Sequence, residues 1–285
     1  MQTRRIPVAD GLTVEADFKG PSSGPGVILM HGGGQTRHAW GQTTDALARQ
    51  GYATMAFDAR GHGGSDWSAA SRYGVEPMMD DLRMILKQSP PRPVLIGASM
   101  GGGVALCAAA ADADAASALV LVDVTPRVDL AGAEQIIGFM RANRGGFASL
   151  EEAADAVAAY LPHRPRPNDN GGLMKNLRLR DDGRLYWHWD PGMVRDGPMD
   201  REAHGIFLEE QARRITVPTL LVRGGKSELV KPEHARQFQA LVPGSEWVDV
   251  ADARHMVAGD SNSQFTDAIL DFLGRVCPVS PVASA

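Results

Sequence analysis

The chain has 285 residues, 44% of them hydrophobic and 22% charged, a balance that suits a soluble globular protein and a length that allows one large α/β domain with an insertion or two small domains. A net charge of −5 without a long basic run argues against nucleic acid as a partner. No apolar run approaches the ~20 residues of a membrane span. The N-terminus lacks a basic segment followed by an apolar core, so no secretory signal is expected. The cysteines, Cys107 and Cys277, lie too far apart in the chain for a disulfide framework, which fits a reducing, cytoplasmic compartment.

In chain order, residues 4–8 and 12–18 flank Asp10-Gly11, the turn signal of an antiparallel hairpin. An apolar strand at 27–30 runs into His31-Gly32-Gly33-Gly34. Helical spacing follows over 40–49, closed by Gly51, then a strand at 52–57, a glycine-rich loop at 58–71 and a helix at 75–87. The breaker Ser89-Pro90-Pro91-Arg92-Pro93 precedes a short apolar strand at 94–98 and an alanine-rich helix to 111. A further strand at 118–122 ends at Asp123. The alternation then breaks from 126 to 203, where helical patterns at 133–142 and 150–161 give way to an irregular stretch at 162–172 and to Tyr186-Trp187-His188-Trp189. Alternation resumes with a helix at 205–214, a strand at 219–223, a helix at 232–241, a strand at 246–250 and a helix at 262–276, before a Pro/Ser/Ala-rich tail.

Strands alternating with helices predict a mostly parallel sheet covered on both faces, an α/β class. A structureless loop as long as 126–203 does not suit a compact domain. The predicted organisation is therefore a core of 1–125 and 204–285 with an inserted, mainly helical lid at 126–203. Within the core, Gly97-Ala98-Ser99-Met100-Gly101 joins a strand to a helix. Taken alone, that pattern describes a glycine-rich connection as well as a nucleophile turn. Two later residues change the balance, because Glu228 follows the strand at 219–223 and His255 follows the strand at 246–250. Both sit where ligands bind in open α/β sheets.

The motifs His31-Gly32-Gly33-Gly34, Asp58-Ala59-Arg60-Gly61-His62-Gly63-Gly64-Ser65, Gly97-Ala98-Ser99-Met100-Gly101-Gly102 and the 224–228 and 255 loops together resemble the serine-nucleophile branch of the α/β-hydrolase fold superfamily. The resemblance spans about residues 26–274 and leaves only the lid without a signature. It implies a doubly covered parallel sheet, Ser99 as nucleophile and His255 as base. An acid orients the histidine; Glu228 is the expected one, with Asp123 the alternative because some members place the acid one strand earlier. The resemblance also implies an oxyanion hole from the backbone N–H groups of Met100 and Gly33, with Gly32 and Gly34 as alternatives.

The expected activity is hydrolysis of a carboxylic ester or lactone of a small to medium, apolar substrate through an acyl-enzyme. The same residues serve C–C bond hydrolysis and cofactor-free perhydrolysis or haloperoxidation, and a ligand-binding descendant keeping the triad is a third reading. Epoxide hydrolase and haloalkane dehalogenase chemistry are disfavoured, because position 99 is not the aspartate those relatives use. Trp40, Trp187, His188 and Trp189 are candidate pocket residues, with core packing as the alternative for the tryptophans. Strand-like alternation divides 187–189 between two faces. His31 and His62 are read as loop braces. No Cys/His spacing suggests zinc, and neither glycine run matches a dinucleotide or P-loop fingerprint, so no metal or cofactor is expected and a small molecule is the expected partner.

Overall fold

The computed structural model describes residues 1–162, 171–194, 200–255 and 262–280. Eight strands form one sheet. They are β1 (Gln2–Pro7), β2 (Thr13–Lys19), β3 (Gly26–Met30), β4 (Ala53–Phe57), β5 (Val94–Ala98), β6 (Ala118–Val122), β9 (Thr219–Gly224) and β10 (Glu246–Val250). Their order across the sheet is β1-β2-β4-β3-β5-β6-β9-β10. From β4 to β10 every pairing is parallel; the β1–β2 hairpin joins antiparallel at one edge. The central strands β3 and β6 are buried along their whole length, because helices cover both faces. That explains why they read as unbroken apolar runs with no alternation.

Helices α1 (Gly41–Arg49) and α8 (Asn262–Val276) pack one face, and α2 (Val75–Leu86), α3 (Met100–Ala111), α6 (Arg201–Ala212) and α7 (Pro232–Leu241) the other. Helix α3 is buried from Gly101 to Ala110. It lies between α2 and α6 against the sheet, so its sequence carries no polar face. Trp40, a pocket candidate from sequence, is fully buried elsewhere. It closes a 3₁₀ turn at Arg37–Trp40, and its ring lies 6.0 Å from that of Phe265 of α8 in the α1/α8 core.

Between β6 and α6 lie α4 (Leu130–Arg141), α5 (Leu150–Tyr160) and a short antiparallel pair, β7 (Leu177–Leu179) with β8 (Leu185–Trp187). This insertion has its own small core of Phe147, Ala153, Leu177, Trp187 and Trp189. Most of the irregular stretch expected at 162–172, His163 included, lies outside the described residues. Helix α6 begins at Arg201 and so straddles the boundary drawn at 203/204 from sequence. Its cap explains the shift, since the Asp200 carboxylate accepts the Ala203 N–H at 2.9 Å. Among the described residues, no helix is long and apolar enough to cross a membrane.

One buried ion pair ties the hairpin to the sheet's helical cover. Arg60 is fully buried, and its guanidinium meets both oxygens of Asp81 on α2 at 2.6 Å. Its remaining nitrogen reaches Asp10 in the β1–β2 turn at 2.8 Å and the Arg72 carbonyl at 3.1 Å. Burial pushes the Asp81 carboxyl pKa up against the pull of Arg60. Removing the cation alone strands that carboxylate, so Arg60→Met is expected to lower stability by about 3–5 kcal/mol in urea unfolding. Adding Asp81→Leu should recover a large part of the loss.

Candidate active site

The turn from β5 into α3 is possible only because two glycines leave room. A Cβ on Gly97 would sit 2.4 Å from the Gly101 carbonyl oxygen, and one on Gly101 would sit 2.5 Å from that of Met30. Between them Ser99 adopts φ 45°, ψ −111°, a conformation that costs an L-residue free energy and persists where surroundings over-determine it. Those surroundings are the Ser99 N–H donated to Val122 at 3.1 Å and the Gly103 N–H donated to the Ser99 carbonyl at 3.0 Å. The Ser99 side chain makes no capping bond to the helix it precedes. Met100 is the first residue of α3, so its N–H lacks an intrahelical acceptor and stands at the positive end of the helix dipole.

Asp123 and His255 meet beyond the ends of β6 and β10. His255 Nδ1–H donates to Asp123 Oδ2 at 2.7 Å. Asp123 is wholly buried and also adopts positive φ, 48°. Two further donors hold its carboxylate: the Gly224 N–H on Oδ1 at 3.0 Å and the Ser227 hydroxyl on Oδ2 at 2.6 Å. With Nδ1 carrying the proton, Nε2 is left as the basic nitrogen.

Glu228, the acid expected from sequence, is not the histidine's partner. The loop after β9 turns through a Ser227 N–H bond to the Gly224 carbonyl at 2.9 Å. That turn aims Ser227 at Asp123, while the Ser227 oxygen accepts the Leu229 and Val230 N–H groups, each at 3.0 Å. The backbone carbonyl of Glu228 packs under Gly132 of α4, and its Oε2 is buried without a hydrogen bond. Among the described residues no hydrogen bond joins Ser99 to His255; such bonds are often long without substrate and tighten when it binds.

The glycine loop after β3 offers three N–H groups, two of which are taken. Gly32 donates to Gln35 Oε1 at 2.9 Å and Gly34 to His62 Nε2 at 3.1 Å, whereas the Gly33 N–H has no hydrogen-bond acceptor among the described residues. Gly32 lies beside Ser99, since a Cβ on it would be 3.4 Å from Ser99 Cβ.

Three buried histidines hold this loop. His31 Nδ1–H donates to the Gly32 carbonyl at 2.8 Å, and its Nε2 accepts the Ala59 N–H at 3.0 Å. His188 Nδ1 accepts the Gly63 N–H at 2.9 Å, and its Nε2–H donates to the Gly34 carbonyl at 3.2 Å. The ring centroids of His31 and His62 are 4.8 Å apart, and those of His62 and His188 5.8 Å. Burial lowers the pKa of all three, that of His62 well below its ordinary value and that of His188 to about 4. Each ring accepts a backbone N–H at one nitrogen and meets a backbone carbonyl with the other, the pattern of a neutral imidazole.

His188 therefore differs from its sequence reading as a pocket residue, because both ring nitrogens are spent on backbone. Trp187 and Trp189 share the opposite face, stacked at 4.9 Å and 9°. Trp187 packs into the insertion's core, its ring 5.0 Å from that of Phe147. Trp189 reaches the glycine loop, where a Cβ on Gly34 would lie 3.5 Å from its ring. Met140 does the same at Gly33, with Sδ 3.6 Å from such a Cβ, and Phe139 stacks on Tyr160 at 4.2 Å. Met140 and Trp189 thus form an apolar wall that faces the loop from the insertion, with the Phe139 ring 6.4 Å from that of Trp189.

The sequence does not single out Ser227 or Met140: Ser227 sits in an ordinary polar turn, and Met140 merges into a helical apolar pattern. Among the described residues, no group of three or more His, Cys, Asp or Glu side chains is arranged to hold a metal ion.

Comparison with known proteins accords with this geometry. A family model described as alpha/beta hydrolase fold matches residues 25–261. An esterase of Mycobacterium tuberculosis is 30% identical over 248 residues, covering 84% of this chain and 79% of that protein. A 2-(acetamidomethylene)succinate hydrolase of Mesorhizobium japonicum is 28% identical, covering 95% of each. The crystal structure of an alpha/beta hydrolase from Novosphingobium aromaticivorans superposes with a TM-score of 0.80 at 25% identity, covering 96% of this chain and 98% of that one.

The neutral histidines carry a consequence for stability. Their native pKa values lie below that of an unfolded histidine; for His188 the window runs from pH 6.5 to about 4, across which the unfolded chain binds a proton that the native ring does not. Stability is then full above pH 6.5 and falls as pH is lowered through that window, His188 alone accounting for about 3 kcal/mol by pH 4. Asp58 draws the His188 value up and Arg178 pushes it down, both by less than burial does. Urea unfolding at pH 7, 6, 5 and 4.5 should show the decline, with a shallower slope for His188→Gln.

Proposed function

The chain belongs to the α/β-hydrolase fold family and is a hydrolase, and on that premise we propose that it cleaves a carboxylic ester or lactone through an acyl-enzyme on Ser99. The observation that carries the reading is the 2.7 Å bond from His255 Nδ1 to the buried Asp123, which leaves His255 Nε2 as the base a serine hydroxyl requires. The acid of this reading is accordingly Asp123 and not Glu228.

His255 Nε2 takes the Ser99 hydroxyl proton as Oγ attacks the substrate carbonyl carbon. The N–H groups of Met100 and Gly33 receive the developing oxyanion, a role in which one donor contributes about 3–4 kcal/mol. The imidazolium returns its proton to the departing alkoxide oxygen. A water molecule then enters by the same route, with His255 again as base, and releases the acid and Ser99. The wall of Met140 and Trp189 supports a small to medium apolar acyl or alcohol group as the preferred substrate part. In this reading the 126–203 insertion acts as the lid.

A panel of p-nitrophenyl esters of graded acyl length, run beside lactones, tests the proposal. Turnover of the best ester should fall about 10⁶-fold in Ser99→Ala, and a fluorophosphonate should label wild-type protein stoichiometrically at Ser99. Failure of both removes the serine-hydrolase reading.

The acid has a separate test on the same ester. Asp123→Asn is expected to lower kcat about 10⁴-fold, whereas Glu228→Gln should stay within about tenfold of wild type. The reverse ranking would return the acid to Glu228.

A further inference from the structure

The glycine loop contains three consecutive peptide groups, and each is held by a different histidine. The peptide joining Gly32 to Gly33 is held through its carbonyl by His31. The peptide joining Gly33 to Gly34 is held through its N–H by His62. The peptide joining Gly34 to Gln35 is held through its carbonyl by His188. In a trans peptide the N–H points opposite to the C=O. The Gly32 carbonyl, pulled toward His31 and the Gln35 N–H at 3.1 Å, therefore turns the Gly33 N–H the other way.

His31 and His62 come from the core, but His188 comes from the insertion. It immediately follows β8 and is 2% exposed. Its seat is built on both sides. The His188 backbone N–H donates to the Asn176 carbonyl at 3.0 Å, and the Asp190 N–H to the Gly61 carbonyl at 2.8 Å. Tyr73 donates its hydroxyl to Asp190, and Arg178 bonds the Gly63 carbonyl. One imidazole thus joins the insertion, the 58–65 loop and the glycine loop. Gly34 has φ 74°, and the Gly34–Gln35 peptide whose carbonyl His188 holds also carries the Gln35 N–H that bonds the Gly32 carbonyl at 3.1 Å, so the histidine's hold passes to the peptide that bears the Gly33 N–H.

We propose that His188 is a positioning residue for the oxyanion hole: by fixing the Gly34 carbonyl it holds the Gly33 N–H in its productive direction, so that the hole is complete only with the insertion seated. The inference rests on the serine-hydrolase reading above. His188 does not touch the reacting atoms in it; it acts through Gly34 and Gly33.

The two ring nitrogens allow a discriminating test. Gln carries its amide where Nε2 lies and reproduces the donor to Gly34. Asn carries its amide where Nδ1 lies and reproduces only the acceptor for Gly63. With the best p-nitrophenyl ester, His188→Asn and His188→Ala should lower kcat about 10- to 100-fold with KM within about twofold, a part of the loss expected when a hole donor is removed outright. Affinity for a trifluoromethyl ketone that adds to the serine should weaken by the same factor. His188→Gln should recover kcat and ketone affinity to within about fivefold of wild type, even if its thermal midpoint falls as far as that of the Asn variant.

Equal kcat in all three variants and wild type would overturn the proposal. So would losses in Asn and Gln variants that track their thermal midpoints, or losses that appear in KM alone. Ser99→Ala in the same assay separates this failure from that of the underlying reading. If wild-type turnover does not depend on Ser99, the reading falls and this inference with it; if it does and the His188 variants match wild type, only the inference falls.

Discussion

A single carboxylate gathers the chain ends of three strands. Asp123, at the end of β6, accepts bonds from Gly224 at the end of β9, from Ser227 in the loop beyond, and from His255 past the end of β10. Buried and away from water, it would be costly without those donors. With them it sets the path of the β9 loop and the orientation of the imidazole together. The strand order of the sheet makes the meeting possible: β6, β9 and β10 are consecutive neighbours, so residues far apart in sequence arrive at one edge.

That edge is also where sequence and structure part. The strained turn at Ser99 was legible because its demands are local. A serine at positive φ needs small neighbours at 97 and 101, and both glycines are visible in the chain. His255 was legible by its place after a strand. The choice between Glu228 and Asp123 was not, because it depends on how a five-residue loop folds back. A hydroxyl, Ser227, decides that by bonding Asp123 and the amides of Leu229 and Val230. Sequence spacing brings both carboxylates to the sheet edge; only tertiary packing selects one.

The strands and helices of the core follow their apolar patterns to within a few residues, since burial on one or two faces is written in residue type. The insertion was harder to read. Strands β7 and β8 have three residues each, too few to show a period. Trp40 and the aromatics at 187 and 189 look alike in sequence. One tryptophan lies beneath α8 in the main core, one fills the insertion's centre and one touches the glycine loop, a difference set wholly by which elements surround them. His188 has no sequence signature for its task, because its partners are backbone groups that any residue could supply.

Lids are often pictured as exchangeable attachments that tune what reaches a conserved centre. The seat of this insertion argues for a stricter modularity. Several of its contacts with the core, those of His188 and Arg178 among them, run through main-chain carbonyls and amides of the two loops nearest Ser99, so shape recognition and loop geometry share one joint. A foreign insertion grafted between β6 and α6 would have to match pocket and joint at once. Substrate range in such an architecture is more readily altered on the wall of Met140 and Trp189 than by replacing the insertion as a whole.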